Sequence, residues 1–207
     1  MEINNIPLLI SKFKFNSPEE FYFVQIIRRR KENPELNKHA QIIHNFNIHE
    51  SDIENDKLTP KLEARIKELC IMHNARAYIR MNKRNSGKIA LEMIMRIPKL
   101  ILSSNTPNLY RLYDGICGEF HHDENKTWVI DLDDISLLEK VTIAINHCYS
   151  TDKKFKGEKT FYEVPTLNGK HIICNPFNMM QFNELMTGTK IDYHKDNPTI
   201  LYYNDNK

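Results

Sequence analysis

The chain has 207 residues, is 41% hydrophobic and carries a formal net charge of +2. That is enough for one substantial core, or a core with a smaller lobe, and a charge so close to balance means that any anion-binding surface must come from local clustering. No stretch approaches the roughly 18 apolar residues of a membrane-spanning helix, the opening MEINNIPLLISKFKF lacks the form of a secretory signal, and Cys70, Cys117, Cys148 and Cys174 include no C-x-x-C pair, which argues against a zinc ribbon. The expectation is a cytoplasmic protein with reduced, mostly buried thiols and no membrane partner.

Residues 1–17 show no clear period and read as a tether or an edge strand. Phe21–Arg30 (FYFVQIIRRR) and Ala40–His49 (AQIIHNFNIH) are rich in β-formers, and the intervening segment contains Asn33 and Pro34, so the two form an antiparallel pair joined by a loop. Arg28, Arg29, Arg30 and Lys31 cluster at the end of the first strand. They suit a solvated strand end or a contact to phosphates. Thr59-Pro60 opens a helix, with Thr59 as N-cap and Pro60 at the first helical position. Leu62, Ile66, Leu69 and Cys70 mark its buried face, and it ends near His73-Asn74.

Ala75–Met81 (ARAYIRM) alternates Arg76, Tyr78 and Arg80 against Ala77, Ile79 and Met81, with Lys83 and Arg84 in the loop beyond. Basic residues interleaved with an aromatic on one strand face fit a phosphate or a stacked base, and equally fit arginines facing solvent. Ser86 is expected to cap a second helix over residues 87–97 that Pro98 ends or kinks. Leu109, Leu112 and Tyr113 suggest a short helix. His121, His122, Asp123 and Glu124 read as an ordinary loop before a strand rather than a metal site.

The next stretch is Thr127–Asp134, TWVIDLDD. Trp128, Val129 and Ile130 begin a buried strand that ends in Asp131, Leu132 and Asp133. Alternate side chains of a strand share a face, so Asp131 and Asp133 point one way and Leu132 points into the core. Their Cα atoms lie roughly 6.5–7 Å apart at a rise of about 3.3 Å per residue. Two carboxylates this close repel unless a cation lies between them, and hard divalent cations prefer carboxylate oxygens. The plainer reading is that one acid caps the following helix and the other is merely exposed.

Asp134 or Ser136 starts a helix to about Cys148, with Leu138, Val141, Thr142 and Ile145 inward. Thr160–Val164 and Lys170–Cys174 form a hairpin around the turn PTLNG. A helix over about 175–186 follows, with Phe177, Met180 and Phe182 partly buried. Lys190–His194 is short and extended, and Pro198–Tyr203 is the last strand. From Thr127 the order is β, α, β, β, α, β, that of a split βαβ or ferredoxin-like unit. In it the first and third strands lie side by side, which brings His171 near the two acids.

Three pieces stand in order: V-I-D-L-D, T-L-N-G-K-H-I-I, and I-D-Y-H-K-D-N-P-T-I-L-Y-Y. This order resembles the archaeo-eukaryotic primase superfamily, including the primase-polymerases of viruses and mobile elements. Its pattern is a strand ending in D-x-D or D-x-E, a small residue two positions before a histidine on a later strand, and a hydrophobic residue followed by Asp before another strand. The resemblance covers roughly residues 127–203 by motif, and residues 20–126 match only loosely.

The resemblance implies an α+β fold: a ferredoxin- or RRM-like βαββαβ unit over about 127–203, packed with an N-terminal α/β lobe over 20–126, in one catalytic-type domain spanning 1–207. By position, Asp131, Asp133 and Asp192 match the family's metal-binding acids, and His171 matches the histidine that contacts the nucleotide's phosphates. Gly169 stands where the family often has Ser, and Asp196 competes with Asp192 for the third acid. Lys170 lies next to the triphosphate position, though strand alternation can turn it to the other face. Arg76 and Arg80 are candidates for triphosphate or template.

The implied activity is that of a metal-dependent nucleotidyltransferase using Mg2+ or Mn2+ and a nucleoside triphosphate on a nucleic-acid template. Such chemistry rests on positioning and charge neutralisation rather than on a covalent nucleophile. The implied partners are single-stranded or primed nucleic acid and a helicase or replication protein. A non-catalytic RRM-like nucleic-acid-binding module and a metal-dependent nuclease are the alternatives.

Overall fold

The structure, a computed structural model, describes residues 1–36, 39–104, 106–119, 126–151 and 160–205. It is a mixed α+β chain with antiparallel sheets, divided into two compact units: Met1–Glu124 with Leu201–Lys207, and Asn125–Ile200. The His121–Glu124 cluster lies outside the described residues. Among the described residues no helix is long and apolar enough to cross a membrane.

The first unit contains β1 (Glu2–Asn4), α1 (Ile6–Ile10), β2 (Glu20–Arg28), β3 (Gln41–Ile48), the short strands β4 (Ile53–Glu54) and β5 (Lys57–Leu58), α2 (Pro60–Met72), β6 (Arg76–Ile79), β7 (Arg84–Asn85), α3 (Ser86–Leu102) and α4 (Leu112–Glu119). Its main sheet runs β1-β12-β6-β2-β3, where β12 is Thr199–Asn204, and β7 pairs with β2. The boundary between the units falls inside β12. The N-terminal residues thus provide a sheet-edge strand, paired to β12 from Glu2↔Asn204 to Asn4↔Tyr202.

β2 is apolar almost without alternation because both of its faces are covered. Phe21 and Phe23 pack with Ile89, Ile116 and Cys117, while Tyr22, Val24 and Ile26 are buried as well. α2 starts after Thr59 with Pro60 in its first turn, as expected, but the Thr59 side chain makes no capping hydrogen bond; Ile66, Leu69 and Cys70 are buried. α3 departs from expectation at both ends. Its N-cap is Asn85, whose side chain accepts from the Lys88 amide at 3.0 Å, and the helix passes through Pro98 to Leu102. Lys83 and Arg84, expected in an open loop, are buried.

The second unit contains β8 (Trp128–Leu132), α5 (Leu138–Thr151), β9 (Phe161–Pro165), β10 (Lys170–Cys174), α6 (Met179–Leu185) and β11 (Asp192–His194). They form a four-stranded antiparallel sheet in the order β11-β8-β10-β9. The expected closing strand of this unit, Pro198–Tyr203, is corrected. The strand beside β8 is Asp192–His194, and Thr199–Asn204 joins the other sheet. A bend at Lys195-Asp196 and Pro198, which has no amide hydrogen to give a ladder, separate the two.

One face of the four-stranded sheet is built by Trp128, Ile130, Leu132, Ile172 and Cys174. It packs with Val141, Ala144, Ile145 and Cys148 of α5 and with Phe177, Phe182 and Met186 around α6. Met180, expected to be partly buried, is exposed. α6 is capped by Asn178, whose side chain accepts from the Met180 and Gln181 amides at 3.1 and 3.3 Å. All four cysteines are free and buried.

Candidate functional site

Trp128, Ile130 and Leu132 commit one face of β8 to the core, so strict alternation sends Val129 and Asp131 to the other. Register decides what meets Asp131 there. His171 of β10 is its direct partner on one side, and Asp192 of β11 is its direct partner on the other. Directly opposed residues of antiparallel strands point to the same face with Cβ atoms about 5 Å apart. Three residues separated by up to 61 positions therefore form one row, His171–Asp131–Asp192. His194, two residues beyond Asp192 and opposite Val129, shares that face.

Asp133 follows immediately past the paired part of β8. What holds the chain there is a glycine. An added Cβ at Gly169 would lie 2.1 Å from the Leu132 carbonyl oxygen and 2.9 Å from the Asp133 Cα. The turn backbone therefore presses directly on the strand end that carries the acids, and no side chain fits between. Gly169 does not have a positive φ. Its smallness serves this approach, not a left-handed turn tip. The turn is closed by the Thr166 amide to the Gly169 carbonyl at 3.0 Å and by the Gly169 amide to the Thr166 hydroxyl at 3.1 Å.

The capping role that could explain an acid here falls to a third one. Asp134 accepts from the Ser136 amide at 3.0 Å and from its hydroxyl at 2.7 Å, which lowers its pKa. Asp131 and Asp133 are left for other purposes. Among the described residues, no hydrogen bond is donated to the side-chain carboxylates of Asp131, Asp133 or Asp192. His171 Nε2 stands 3.6 Å from Asp131 Oδ1.

The surroundings of that imidazole favour its neutral form. Burial pushes its pKa below the ordinary value, which outweighs the attraction of Asp131, and neighbouring His194 pushes it the same way as burial. Its Nδ1 lies 2.8 Å from the hydroxyl of Thr199, itself fully buried. Sequence reasoning missed both Thr199 and His194. His194 was legible from alternation after Asp192. Thr199 was not, because only the tertiary fold sets it beside the ring.

The remaining candidates lie apart from this row. Lys170 alternates to the opposite face, where its Nζ pairs with Glu163 at 2.6 Å. Asp196 sits in the bend after β11, outside the register that pairs Asp192 with Asp131. Arg76, in the first unit, is ion-paired with Glu32 and lies over the Tyr203 ring at 4.8 Å. Arg80, half-buried, follows β6 and donates its backbone amide to Phe23 at 3.0 Å. Tyr78 accepts from Arg29 at 3.0 Å, and Arg28 is held by Glu35 and Asn33.

The oxygen-only donors Asp131, Asp133 and Asp192 match a hard divalent cation in kind. Among the described residues, no three His, Cys, Asp or Glu side chains converge closely enough to hold an ion as they stand. No protein-family model, curated protein or solved structure matches the chain.

Proposed function

We propose that the chain is a metal-dependent nucleotidyltransferase of the primase-polymerase type, acting on nucleoside triphosphates and a nucleic-acid template. The observation that carries this reading is the cross-strand pairing of Asp131 with Asp192, with Asp133 two residues on. Like charges placed directly opposite each other destabilise a sheet, and among the described residues no Lys or Arg side chain pairs with them. Such an arrangement suits a site that gains a cation together with its substrate. The strand order β11-β8-β10-β9, with the first strand between the fourth and the third, supports the ferredoxin-like arrangement that the motif order implied.

In this reading Asp131, Asp133 and Asp192 would hold Mg2+ or Mn2+, which would supply charge neutralisation at the phosphates and activation of the attacking hydroxyl. The residues of the chain position and shield. Gly169 fixes the strand end from which Asp133 projects. His171, neutral and beside the acids, offers a hydrogen bond to a phosphate oxygen without adding a charge that would compete for the carboxylates. Lys170, on the far side of the strand, takes no part in this. Arg76 is already neutralised by Glu32, and Arg30 and Lys31 are the candidates for template phosphates.

The test is pyrophosphate release and strand extension from a primed template with Mn2+ and nucleoside triphosphates. The expected result is activity in the wild type and none in Asp131→Asn, Asp133→Asn. Retained incorporation in that double variant overturns the proposal, and chain shortening without pyrophosphate release identifies a nuclease. Salt-sensitive binding to single strands with neither product identifies a binding module.

A further inference from the structure

His171 has two ring nitrogens in different surroundings, and the difference assigns a role to a residue outside the three motifs. Nε2 faces the Asp131 carboxylate at 3.6 Å, and Nδ1 faces the Thr199 hydroxyl at 2.8 Å. A neutral imidazole has one N–H and one bare nitrogen. An ionised carboxylate only accepts, so it favours the hydrogen on the nitrogen that faces it. Nδ1 is then bare, and the Thr199 hydroxyl, which can turn to donate, supplies its hydrogen bond. Thr199 is 0% exposed, so no water competes for that donor, and a bare Nδ1 with no partner there would be costly.

We propose that Thr199 is a positioning residue: its hydroxyl donates to His171 Nδ1 and locks the ring as the Nε2–H tautomer, aimed along the row of acids. The inference rests on the proposed nucleotide site for its purpose. There the locked tautomer gives His171 an N–H to donate to an anionic phosphate oxygen. The opposite tautomer would set a lone pair against that oxygen and repel it. Partners that fix the tautomer of a functional histidine are worth about ten- to a hundred-fold in affinity or activity.

The tautomer is read without nucleotide or metal. In 15N-histidine-labelled protein, long-range 1H–15N correlations distinguish Nε2–H from Nδ1–H, and the His171 signals are those absent from His171→Gln. The expected wild-type spectrum shows one species, Nε2–H. Thr199→Val, which keeps the shape and removes the donor, is expected to give a tautomer mixture, and Thr199→Ser to restore one form. A wild-type Nδ1–H ring, or an unchanged ring in Thr199→Val, overturns the lock.

Calorimetric titration with ATP and Mn2+ then tests its purpose. Affinity should fall about tenfold in Thr199→Val and recover in Thr199→Ser. Wild-type-like affinity in Thr199→Val, beside a loss in His171→Gln, overturns the positioning role. Absence of nucleotide binding in the wild type, with the tautomer as expected, counts against the proposed nucleotidyltransferase function and leaves the hydrogen-bond lock standing.

Discussion

The two units treat charge in opposite ways. In the first, three buried cations each have a carbonyl or carboxylate partner. Arg84, fully buried, gives its Nε hydrogen to the Cys117 carbonyl at 2.8 Å; Lys83 pairs with Glu20 at 2.9 Å; Arg76 pairs with Glu32. In the second, three carboxylates lie at one end of a sheet, two of them on directly opposed residues, and among the described residues no Lys or Arg pairs with them. Charges that are fully paired inside a fold hold it together. Charges of one sign left facing each other are held together by the fold, at a cost, and suit a partner from outside.

This contrast can be broken by exchanging which charges are removed. The largest effect on function is expected from Asp131→Asn, Asp133→Asn. Metal-dependent nucleotide binding should be lost, while the thermal midpoint stays the same or rises because repulsion is relieved; a fall of the midpoint in parallel would make these acids structural. Arg84→Met should do the reverse. It should cost roughly 3 kcal/mol in urea unfolding, because buried carbonyls lose a charged donor, and the molecules that remain folded should bind nucleotide normally.

Gly169→Ala should affect both. The added carbon meets the Leu132 carbonyl, and overpacking of this kind costs about 1–3 kcal/mol. Displacing the Asp133 end of the strand should also weaken nucleotide binding by roughly one to two orders of magnitude. Calorimetry on the folded fraction separates the two losses. Lys170→Met should change little, less than about 1 kcal/mol in stability because its pair with Glu163 is partly exposed, with nucleotide affinity unchanged. A large loss of affinity would move Lys170 into the site.

The smallest effect is expected from thiol reagents. Burial pushes Cys70 and Cys174 up to about 12 and Cys117 up to about 11. Cys148 is raised for the same reason. Since the thiolate is the reactive form, all four should stay unmodified in native protein at pH 8 and react promptly once it is unfolded in urea.

Much of this site could be read before any coordinates. Alternation along W-V-I-D-L placed Asp131 opposite the core face, and the βαββ order placed β10 beside β8, so His171 and Asp131 were brought together by pattern alone. Alternation also flagged Lys170 as the residue liable to face away. What pattern could not supply was register and identity of partners. The sequence offers both Asp192 and Asp196 as the third acid, and only the pairing of β11 with β8 separates them. The D-x-D-D run offered three acids for one helix cap, and the hydrogen bonds to Ser136 assign it to Asp134.

Asn168-Gly169 carried the mark of a tight hairpin tip, yet Gly169 is small because another backbone passes within contact distance. No local rule reports such an approach. Lys83 and Arg84 read as loop residues because cations usually face solvent; their burial relies on the Glu20 carboxylate and the Cys117 carbonyl, both distant in sequence.

The place of β12 has a consequence for synthesis. The strand sits between β1 and β6, so the sheet of the first unit is incomplete until residues 199–204 have been made. The second unit, by contrast, is bounded by residues 125 and 200 and has its four paired strands by His194. Vectorial folding usually proceeds from the N-terminus onward. Here the segment translated later holds all of its own sheet before the earlier one can close, and about two hundred residues pass before the first strand meets its neighbour.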